Sequence, residues 1–237
     1  MAAVDQDQLA LGVQLRDDAT WGNFLPLPGQ AAVLAAIRAQ LGESGEPVLF
    51  LHGGADAGKS HLLQAACLDA DGQGLYLPLR ELAAHRPEEL LQGLESMPLL
   101  CLDDLQAVAG QRDWELALFH LFNRCRESGA RWLASGRQPP RELALTLPDL
   151  ESRLGWGPVF ALAAPDDQRR QAILQHRARC RGLDMPQEVA RYLVTHTSRA
   201  LDRLLDLLDA LDRRSLQAQR GLTIPFVRQI LQEPELD

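Results

Sequence analysis

The sequence predicts an α/β protein in which a parallel sheet covered by helices is followed by a small all-helical domain. Short apolar segments alternate with longer segments of helical periodicity, which is the pattern of parallel strands buried on both faces. The predicted strands are Val48–His52, Gly74–Leu79, Leu99–Asp103, Arg131–Ser135 and Val159–Leu162. After Ala164 no further strand is predicted and only helical periodicity remains.

Helical spacing of apolar residues predicts the remaining elements. In the sheet-forming part, helices are predicted near 30–41, 59–69, 87–94, 113–128 and 148–154. Beyond it, they are predicted near 166–181, 186–196, 199–215 and 223–233, the first beginning at Pro165-Asp166-Asp167. The predicted organisation is therefore an extended tail at 1–18, an α/β domain at 19–163 and a helical domain at 164–237.

Composition and charge restrict the function and the compartment. The net charge of −8 over 237 residues disfavours independent binding to nucleic acid or to a membrane surface. The first 18 residues lack the basic start and apolar stretch of a signal peptide, and no apolar run is long enough for a membrane helix. The cysteines lack C-x-x-C spacing, which predicts reduced, buried thiols and a cytoplasmic protein. They are Cys67, Cys101, Cys125 and Cys180.

A phosphate-binding loop follows the first predicted strand. The pattern G-x(4)-G-K-S lies between a strand and a helix, where backbone N–H groups and the helix N-terminus face a bound anion. The predicted nucleotide contacts are Gly53, Gly54, Ala55, Asp56, Ala57, Gly58, Lys59, Ser60 and His61. Lys59 is expected to reach the β- and γ-phosphates, and the Ser60 hydroxyl to bind Mg²⁺.

Two carboxylates end the third predicted strand. An apolar strand that ends in an acidic residue is the Walker B pattern, in which Asp103 supports Mg²⁺. Asp104 occupies the position at which many hydrolytic relatives place a glutamate that orients the attacking water. Aspartate is one methylene shorter, so slow hydrolysis by this chain alone is expected.

The order of these motifs resembles a known family. Further stretches that carry the resemblance are Gln8–Val13, Leu118–Asn123, Ala134–Pro140, Glu151–Gly157 and Ala218–Leu231. Together they resemble the AAA+ module of the bacterial replication initiator DnaA and, more closely, the Hda family of DnaA-homologous regulators. The resemblance covers nearly the whole chain and implies an AAA+ domain with a helical lid that binds ADP or ATP with Mg²⁺.

The resemblance assigns roles to further residues. Ser135 corresponds to sensor 1, near the γ-phosphate. Arg153 corresponds to an arginine finger, which acts on nucleotide held by a neighbouring subunit. The family's sensor-2 arginine aligns with Asp202, so either Arg199 or Arg203 takes its place through a shift of the helix, or the contact is missing.

The resemblance also implies partners and a biological role. The implied partners are DnaA and the β sliding clamp of DNA polymerase III, the latter bound through Gln8, Leu9 and Leu11 of the tail. Gly12-Val13 stands where the family usually has Pro-Leu, which weakens the expected clamp contact. The implied function is regulatory inactivation of DnaA by stimulation of its ATP hydrolysis, which prevents re-initiation of replication. A self-contained AAA+ ATPase, such as a loader or remodeller, is the alternative, and self-association stays open.

Overall fold

The computed structural model describes residues 19–40, 42 and 45–232, which form a five-stranded parallel sheet, flanking helices and a helical lid. The strands are β1 (Val48–His52), β2 (Gly74–Pro78), β3 (Leu99–Asp103), β4 (Arg131–Gly136) and β5 (Val159–Ala161). Their order is β2-β3-β4-β1-β5, and every neighbouring pair is parallel. The predicted fold class is thereby confirmed, whereas the predicted tail at 1–18 lies outside the described residues.

Helices connect the strands and form the lid. In the α/β part they are α1 (Ala31–Gln40), α2 (Lys59–Asp69), α3 (Leu79–Leu82), α4 (Pro87–Leu90), α5 (Arg112–Ser128) and α6 (Pro148–Leu154). In the lid they are α7 (Asp167–Cys180), α8 (Gln187–His196), α9 (Leu201–Ala218) and α10 (Ile224–Leu231). Within the described ranges, none of these helices has both the length and the apolar character needed to cross a membrane.

Several elements end earlier than the sequence predicts, among them β5, which stops at Ala161 instead of Leu162. The helix predicted at 87–94 stops at Leu90, and Gly93 then adopts a left-handed backbone with φ +77°, which no α-helix continues through. Strand β2 ends at Pro78 instead of Leu79, because α3 begins at that leucine. The earlier end of β2 matters for the site, since it puts Arg80 on a helical turn at the carboxyl edge of the sheet.

The sheet is buried on both faces, which explains why its strands are almost continuously apolar. Phe50 of β1 packs with Leu118 of α5 in one hydrophobic cluster. Leu49 and Leu51 point to the opposite face and pack with Leu62 of α2 in a second cluster. Alternate residues of a strand face opposite sides of a sheet, so both sets need apolar side chains here.

The lid has a core of its own. Leu204, Leu208 and Leu211 lie on one side of α9 and are buried against the other lid helices. Helix α7 begins as predicted, because the Asp166 carboxylate accepts a hydrogen bond from the backbone N–H of Arg169, at 2.8 Å, and caps the helix.

Helix α7 also joins the lid to the α/β part. His176 Nε2 lies 3.2 Å from the carbonyl oxygen of Gly22, and the Cys180 thiol donates to the same oxygen at 3.7 Å. Arg170 lies 3.9 Å from the carboxylate of Asp56 in the phosphate-binding loop. All four cysteines are free thiols, and Cys180 is exposed, contrary to the expectation that all are buried, because it lies at the end of α7 outside the lid core.

Candidate functional site

The phosphate-binding loop lies at the carboxyl edge of the sheet, between β1 and α2. Asp56 and Gly58 adopt left-handed backbone conformations, with φ of 63° and 85°, that turn the loop into the first turn of α2. A Cβ atom on Gly53 would lie 2.2 Å from the carbonyl oxygen of Leu162, so only glycine fits there. A Cβ at Gly54 would meet nothing within 4 Å, which leaves room for an anion beside the loop.

Lys59, the only lysine in the sequence, is held inside this loop. Its side chain is 7% exposed, and Nζ donates to the carbonyl oxygens of Gly53 and Gly54 at 2.8 and 2.9 Å. Burial lowers the pKa of Lys59, while Asp104 and Asp103 raise it in part. A cation held at the loop by weak carbonyl acceptors is well placed to bind a phosphate, which is the stronger acceptor.

Asp103 is buried at the end of β3 and is surrounded by donors. The Tyr76 hydroxyl donates to Oδ2 at 2.6 Å, the Ser135 hydroxyl donates to Oδ1, and the Asp104 N–H donates to Oδ1 at 3.1 Å. Burial and the neighbouring Asp103 raise the pKa of Tyr76, so its hydroxyl stays a donor. Ser135, predicted as sensor 1, is fully buried and bonds Asp103. Asp103 and Ser60 remain the residues that would hold Mg²⁺, which prefers carboxylate and hydroxyl oxygens.

Asp104 is engaged by two residues that sequence reasoning did not identify. One carboxylate oxygen lies 3.1 Å from Nη2 of Arg80, and the other accepts from the Gln106 amide at 2.7 Å. Its backbone is left-handed, with φ 60°, which turns the side chain away from the line of β3. The available signal was that Arg80 follows β2 directly, since the carboxyl ends of parallel strands meet at one edge.

A cavity of about 450 Å³ lies between this loop and the lid. Its phosphate end is polar and is lined by residues 55–61 together with Arg80, Asp104 and Arg137. The rest of the lining mixes apolar and polar residues, namely Ala19, Asn23, Phe24, Leu25, Leu27, Gln30, Gln64, Pro165, Ile173, Arg177, Leu201, Asp202 and Leu205. The Phe24 and His61 rings lie 5.3 Å apart within the lining. This size and lining suit a nucleotide, with phosphates on the loop and a base among the apolar side chains.

The lid brings a different arginine to the cavity from those predicted. Arg199 lies 3.7 Å from Asp167 and is 71% exposed, and neither it nor Arg203 lines the cavity. Leu201 and Leu205 face the cavity one helical turn apart, which turns Arg203, two positions along, to the opposite side of α9. Arg177 of α7 lines the cavity instead and is 3% exposed. Its sequence signal was its position one helical turn after Ile173, on the same face of α7.

Arg153 lies at the surface near the end of α6, outside the cavity between the phosphate-binding loop and the lid. Its guanidinium carbon lies 5.0 Å from the centre of the Trp156 ring, and that of Arg126 lies 5.9 Å from the same ring. Trp156 is 55% exposed, and the cavity lining within the described chain includes no residue of α6. The three side chains form a cationic, aromatic surface, here named the Trp156 surface, which is open to another molecule.

Glu115 anchors the segment that precedes α6. This fully buried carboxylate accepts hydrogen bonds from the N–H groups of Gly110, Thr146 and Leu147 at 2.7, 2.9 and 2.7 Å. It also accepts from the Thr146 hydroxyl at 2.7 Å. Helix α6, which carries Arg153, begins at the next residue, Pro148. Glu115 therefore holds the backbone immediately before this helix in place.

Replacing Glu115 with glutamine should lower the free energy of unfolding by about 2–4 kcal/mol at neutral pH, because an NH₂ group would face backbone donors. Burial raises the pKa of Glu115, but hydrogen bonds from Thr146, Gly110 and Leu147 outweigh it and lower the pKa below the ordinary 4.5. A carboxyl of this kind stabilises the fold above its unfolded pKa, and that stabilisation disappears as the pH falls through the folded pKa. The difference between the two proteins should therefore shrink in acid.

The measurement is urea unfolding of the parent and the variant at about pH 7 and about pH 3.5. Glu127→Gln, on the exposed side of the same helix, is the control and should change stability little at either pH. A Glu115→Gln effect that is equally large at both values would contradict the assigned role of the ionised carboxylate.

Comparison with known proteins agrees with this geometry. A family model of the bacterial DnaA ATPase domain matches residues 78–161, and a model of the Hda lid domain matches residues 166–231. Domain III of the replication initiation protein DnaA from Thermotoga maritima is 24% identical, with a TM-score of 0.75 over 92% of this chain and 98% of that chain. AMPPCP-bound DnaA from Aquifex aeolicus is 23% identical, with a TM-score of 0.66 over 86% of this chain and 71% of that chain.

A more distant structure has the same fold. The Aeropyrum pernix ORC2 protein, solved as ADPNP–ADP complexes, is 15% identical, with a TM-score of 0.65 over 89% of this chain and 70% of that chain. The sheet order, the phosphate-binding loop and the lid show that the chain has the AAA+ fold. Within that class, its two parts match the DnaA ATPase domain and the Hda lid, which confirms the predicted resemblance to Hda, a DnaA homologue. These matches support a DnaA-related role in replication.

Proposed function

We propose that this chain binds ADP or ATP with Mg²⁺ in the cavity between the phosphate-binding loop and the lid. The proposal is supported by the Lys59 ammonium in the loop, by the cavity lining and by the nucleotides bound in the structures of similar proteins. Mg²⁺, held by Ser60 and Asp103, would neutralise charge on the β- and γ-phosphate oxygens. The protein's own contribution is to orient the phosphates and to exclude water from the base.

The bound chain then acts on DnaA as a regulator. Arg153 completes the active site of an ATP-bound DnaA molecule and stabilises the charge that develops as water attacks the γ-phosphorus and the bond to ADP breaks. The observation that carries this proposal is the place of Arg153, which lies half-buried on the Trp156 surface and outside the chain's own cavity. Inactivating DnaA in this way would prevent re-initiation of replication.

We expect this chain to hydrolyse its own bound ATP slowly for a second reason, besides the short side chain of Asp104. A residue that orients water must direct a carboxylate oxygen at it, and other partners on that carboxylate hold its oxygens in different directions. Both carboxylate oxygens of Asp104 are engaged, one by Arg80 and one by Gln106. This arrangement favours a nucleotide-dependent regulator over an enzyme that turns over its own nucleotide.

The tail would bring the regulator to its place of action. Gln8, Leu9 and Leu11, which lie outside the described residues, resemble a clamp-binding peptide, and an extended peptide of this kind suits an apolar groove. Tethering to a clamp on DNA would raise the local concentration to about the mM range, so a weak contact through Gly12-Val13 suffices. The chain itself, with a net charge of −8, is not expected to bind DNA directly.

The alternative is a self-contained AAA+ ATPase. It is favoured by the complete phosphate-binding loop and by the buried Asp103, which together provide the parts needed to bind Mg²⁺ and a triphosphate. It predicts that the purified chain hydrolyses ATP rapidly and that DnaA changes the rate little.

The deciding experiment follows labelled ATP bound to DnaA, with the clamp loaded on DNA and with or without this chain. We expect this chain to accelerate conversion of the label to ADP, and deletion of residues 1–13 to remove most of the effect while leaving nucleotide affinity unchanged. Rapid turnover by the isolated chain with no effect on DnaA would establish the alternative. Full stimulation by the truncated chain would refute only the proposed role of the tail and would leave the proposed action of Arg153 intact.

A further inference from the structure

The backbone on both sides of Trp156 is fixed, although the side chain itself is 55% exposed. The Trp156 N–H donates to the carbonyl oxygen of Arg153 at 3.2 Å, which closes a turn at the end of α6. A Cβ atom on Gly157 would lie 1.8 Å from the carbonyl oxygen of Val48, so the chain approaches β1 where only glycine fits. The position of the indole ring is therefore set by α6 on one side and by the sheet on the other.

The Trp156 ring joins the surface to the core. Its centre lies 6.3 Å from that of the Phe122 ring, which belongs to α5 and is only 2% exposed. The Arg153 guanidinium lies over the indole ring at 5.0 Å, whereas that of Arg126 lies at 5.9 Å, close to the limit of about 6 Å for a cation–π contact. Arg153 is therefore the main cationic partner of the ring.

The ring is also the main restraint on Arg153. Within residues 19–40, 42 and 45–232, no carboxylate pairs with this guanidinium and no hydrogen bond fixes it. An arginine side chain has several rotatable bonds, so it loses much rotamer freedom when it is fixed in the site of another molecule. A side chain that is ordered beforehand loses less of that freedom on binding.

We propose that Trp156 is a positioning residue whose ring orders the Arg153 guanidinium before DnaA is bound, so that the finger enters the partner's active site already oriented. The inference rests on the proposed action of Arg153 on DnaA and goes further, because it assigns a residue that sets the efficiency of that action. Trp156 touches neither nucleotide nor the reacting atoms and acts only through Arg153.

A docking role for the exposed ring makes a different kinetic prediction. Exposed aromatic side chains often contribute directly to the affinity between proteins. Loss of a docking contact raises the concentration of this chain that gives half-maximal stimulation, whereas loss of orientation lowers the maximal rate. A small displacement of a catalytic group costs a large factor in rate, so the second effect should be readily measured.

The test follows labelled ATP bound to DnaA, with the clamp loaded on DNA, over a range of concentrations of this chain. Trp156→Leu removes the aromatic face and should lower the maximal rate about tenfold, while the half-saturating concentration changes less than about threefold. Trp156→Phe keeps an aromatic face and should retain at least about a third of the maximal rate. The matched control is Tyr192→Leu, which removes a similar contact with Arg228 on the lid, at 5.2 Å, and should change neither value.

Two kinetic results would overturn the proposal. Equal losses in Trp156→Phe and Trp156→Leu would show that the aromatic face is not what matters. A raised half-saturating concentration with an unchanged maximal rate would make Trp156 a docking residue. If the parent chain does not stimulate hydrolysis on DnaA, the proposed function fails and this inference fails with it. If the parent stimulates and Arg153→Ala does not, while Trp156→Leu matches the parent, only this inference fails.

A second measurement tests the contact in the chain alone. Trp156 is the most exposed of the four tryptophans, and the difference between the emission of the parent and that of Trp156→Phe isolates its fluorescence. Arg153→Ala should make this fluorescence more accessible to quenching by acrylamide, because the guanidinium no longer covers the ring. Unchanged quenching would show that Arg153 does not rest on the ring in solution and would overturn the proposal.

Discussion

Replacing Arg153 with alanine should abolish the stimulation of ATP hydrolysis on DnaA and leave this chain's own nucleotide binding unchanged. In phosphoryl-transfer enzymes, a finger of this type contributes a factor of roughly 10³–10⁵ in rate, so the loss should bring the rate back to that of DnaA alone. The chain's own affinity should survive because Arg153 lies outside its cavity. Stability should change little, since the side chain is only half-buried and rests on the exposed ring of Trp156.

Two variants show whether the effect belongs to the finger. Arg126→Ala removes the other cation on the Trp156 surface and should retain most of the stimulation, because charge alone is not what the finger supplies. Arg153→Lys should rescue little, since an ammonium lacks the planar fork that bridges phosphate oxygens. Undiminished stimulation by Arg153→Ala would remove this residue from the mechanism. Loss of the chain's own nucleotide affinity would instead show that Arg153 acts in its own site and would favour the self-contained ATPase.

Replacing Lys59 with alanine should weaken nucleotide binding about 100-fold, which corresponds to about 2.8 kcal/mol. The variant loses the one cation that lies within the loop, and the Gly53 and Gly54 carbonyls lose the donor that holds them. Calorimetry with Mg²⁺-ADP measures the effect directly. Lys59→Arg is the matched control, because it keeps the charge in a bulkier head group and should bind more tightly than the alanine variant. Unchanged affinity in Lys59→Ala would refute the site.

The same residue allows a chemical test in the unmodified protein. Because Lys59 is the only lysine, an amine-directed acylating reagent has one side-chain target besides the N-terminal amine. Burial lowers the pKa of Lys59, so a larger fraction of its amine is neutral at a given pH than for an ordinary exposed lysine. Bound nucleotide should protect Lys59 from the reagent while the N-terminus reacts at its usual rate. Measurable labelling of Lys59 that is unchanged when nucleotide is bound would contradict a contact between Lys59 and phosphate.

The fold class and the phosphate-binding loop were predictable because both depend on residues that are close together in the sequence. Strand β1 is apolar on both faces, and the G-x(4)-G-K-S pattern follows it within a few positions, so local spacing alone indicates a loop that binds phosphate. The start of α7 was predictable for the same reason, since the Asp166 carboxylate caps this helix by accepting from an N–H group only three residues later.

Tertiary structure alone decided which distant side chains share the site. The family resemblance indicated an arginine near the start of α9, but the rotation that turns Leu201 and Leu205 inward leaves Arg203 outside, and Arg177 of another helix lines the cavity. Ser135 occupies the expected strand end, yet it bonds the buried Asp103. Arg80 reaches Asp104 because β2 and β3 are neighbours in the sheet. Sequence periodicity determines which side of an element is buried, whereas strand order and the rotation of packed helices depend on the packing of the whole core.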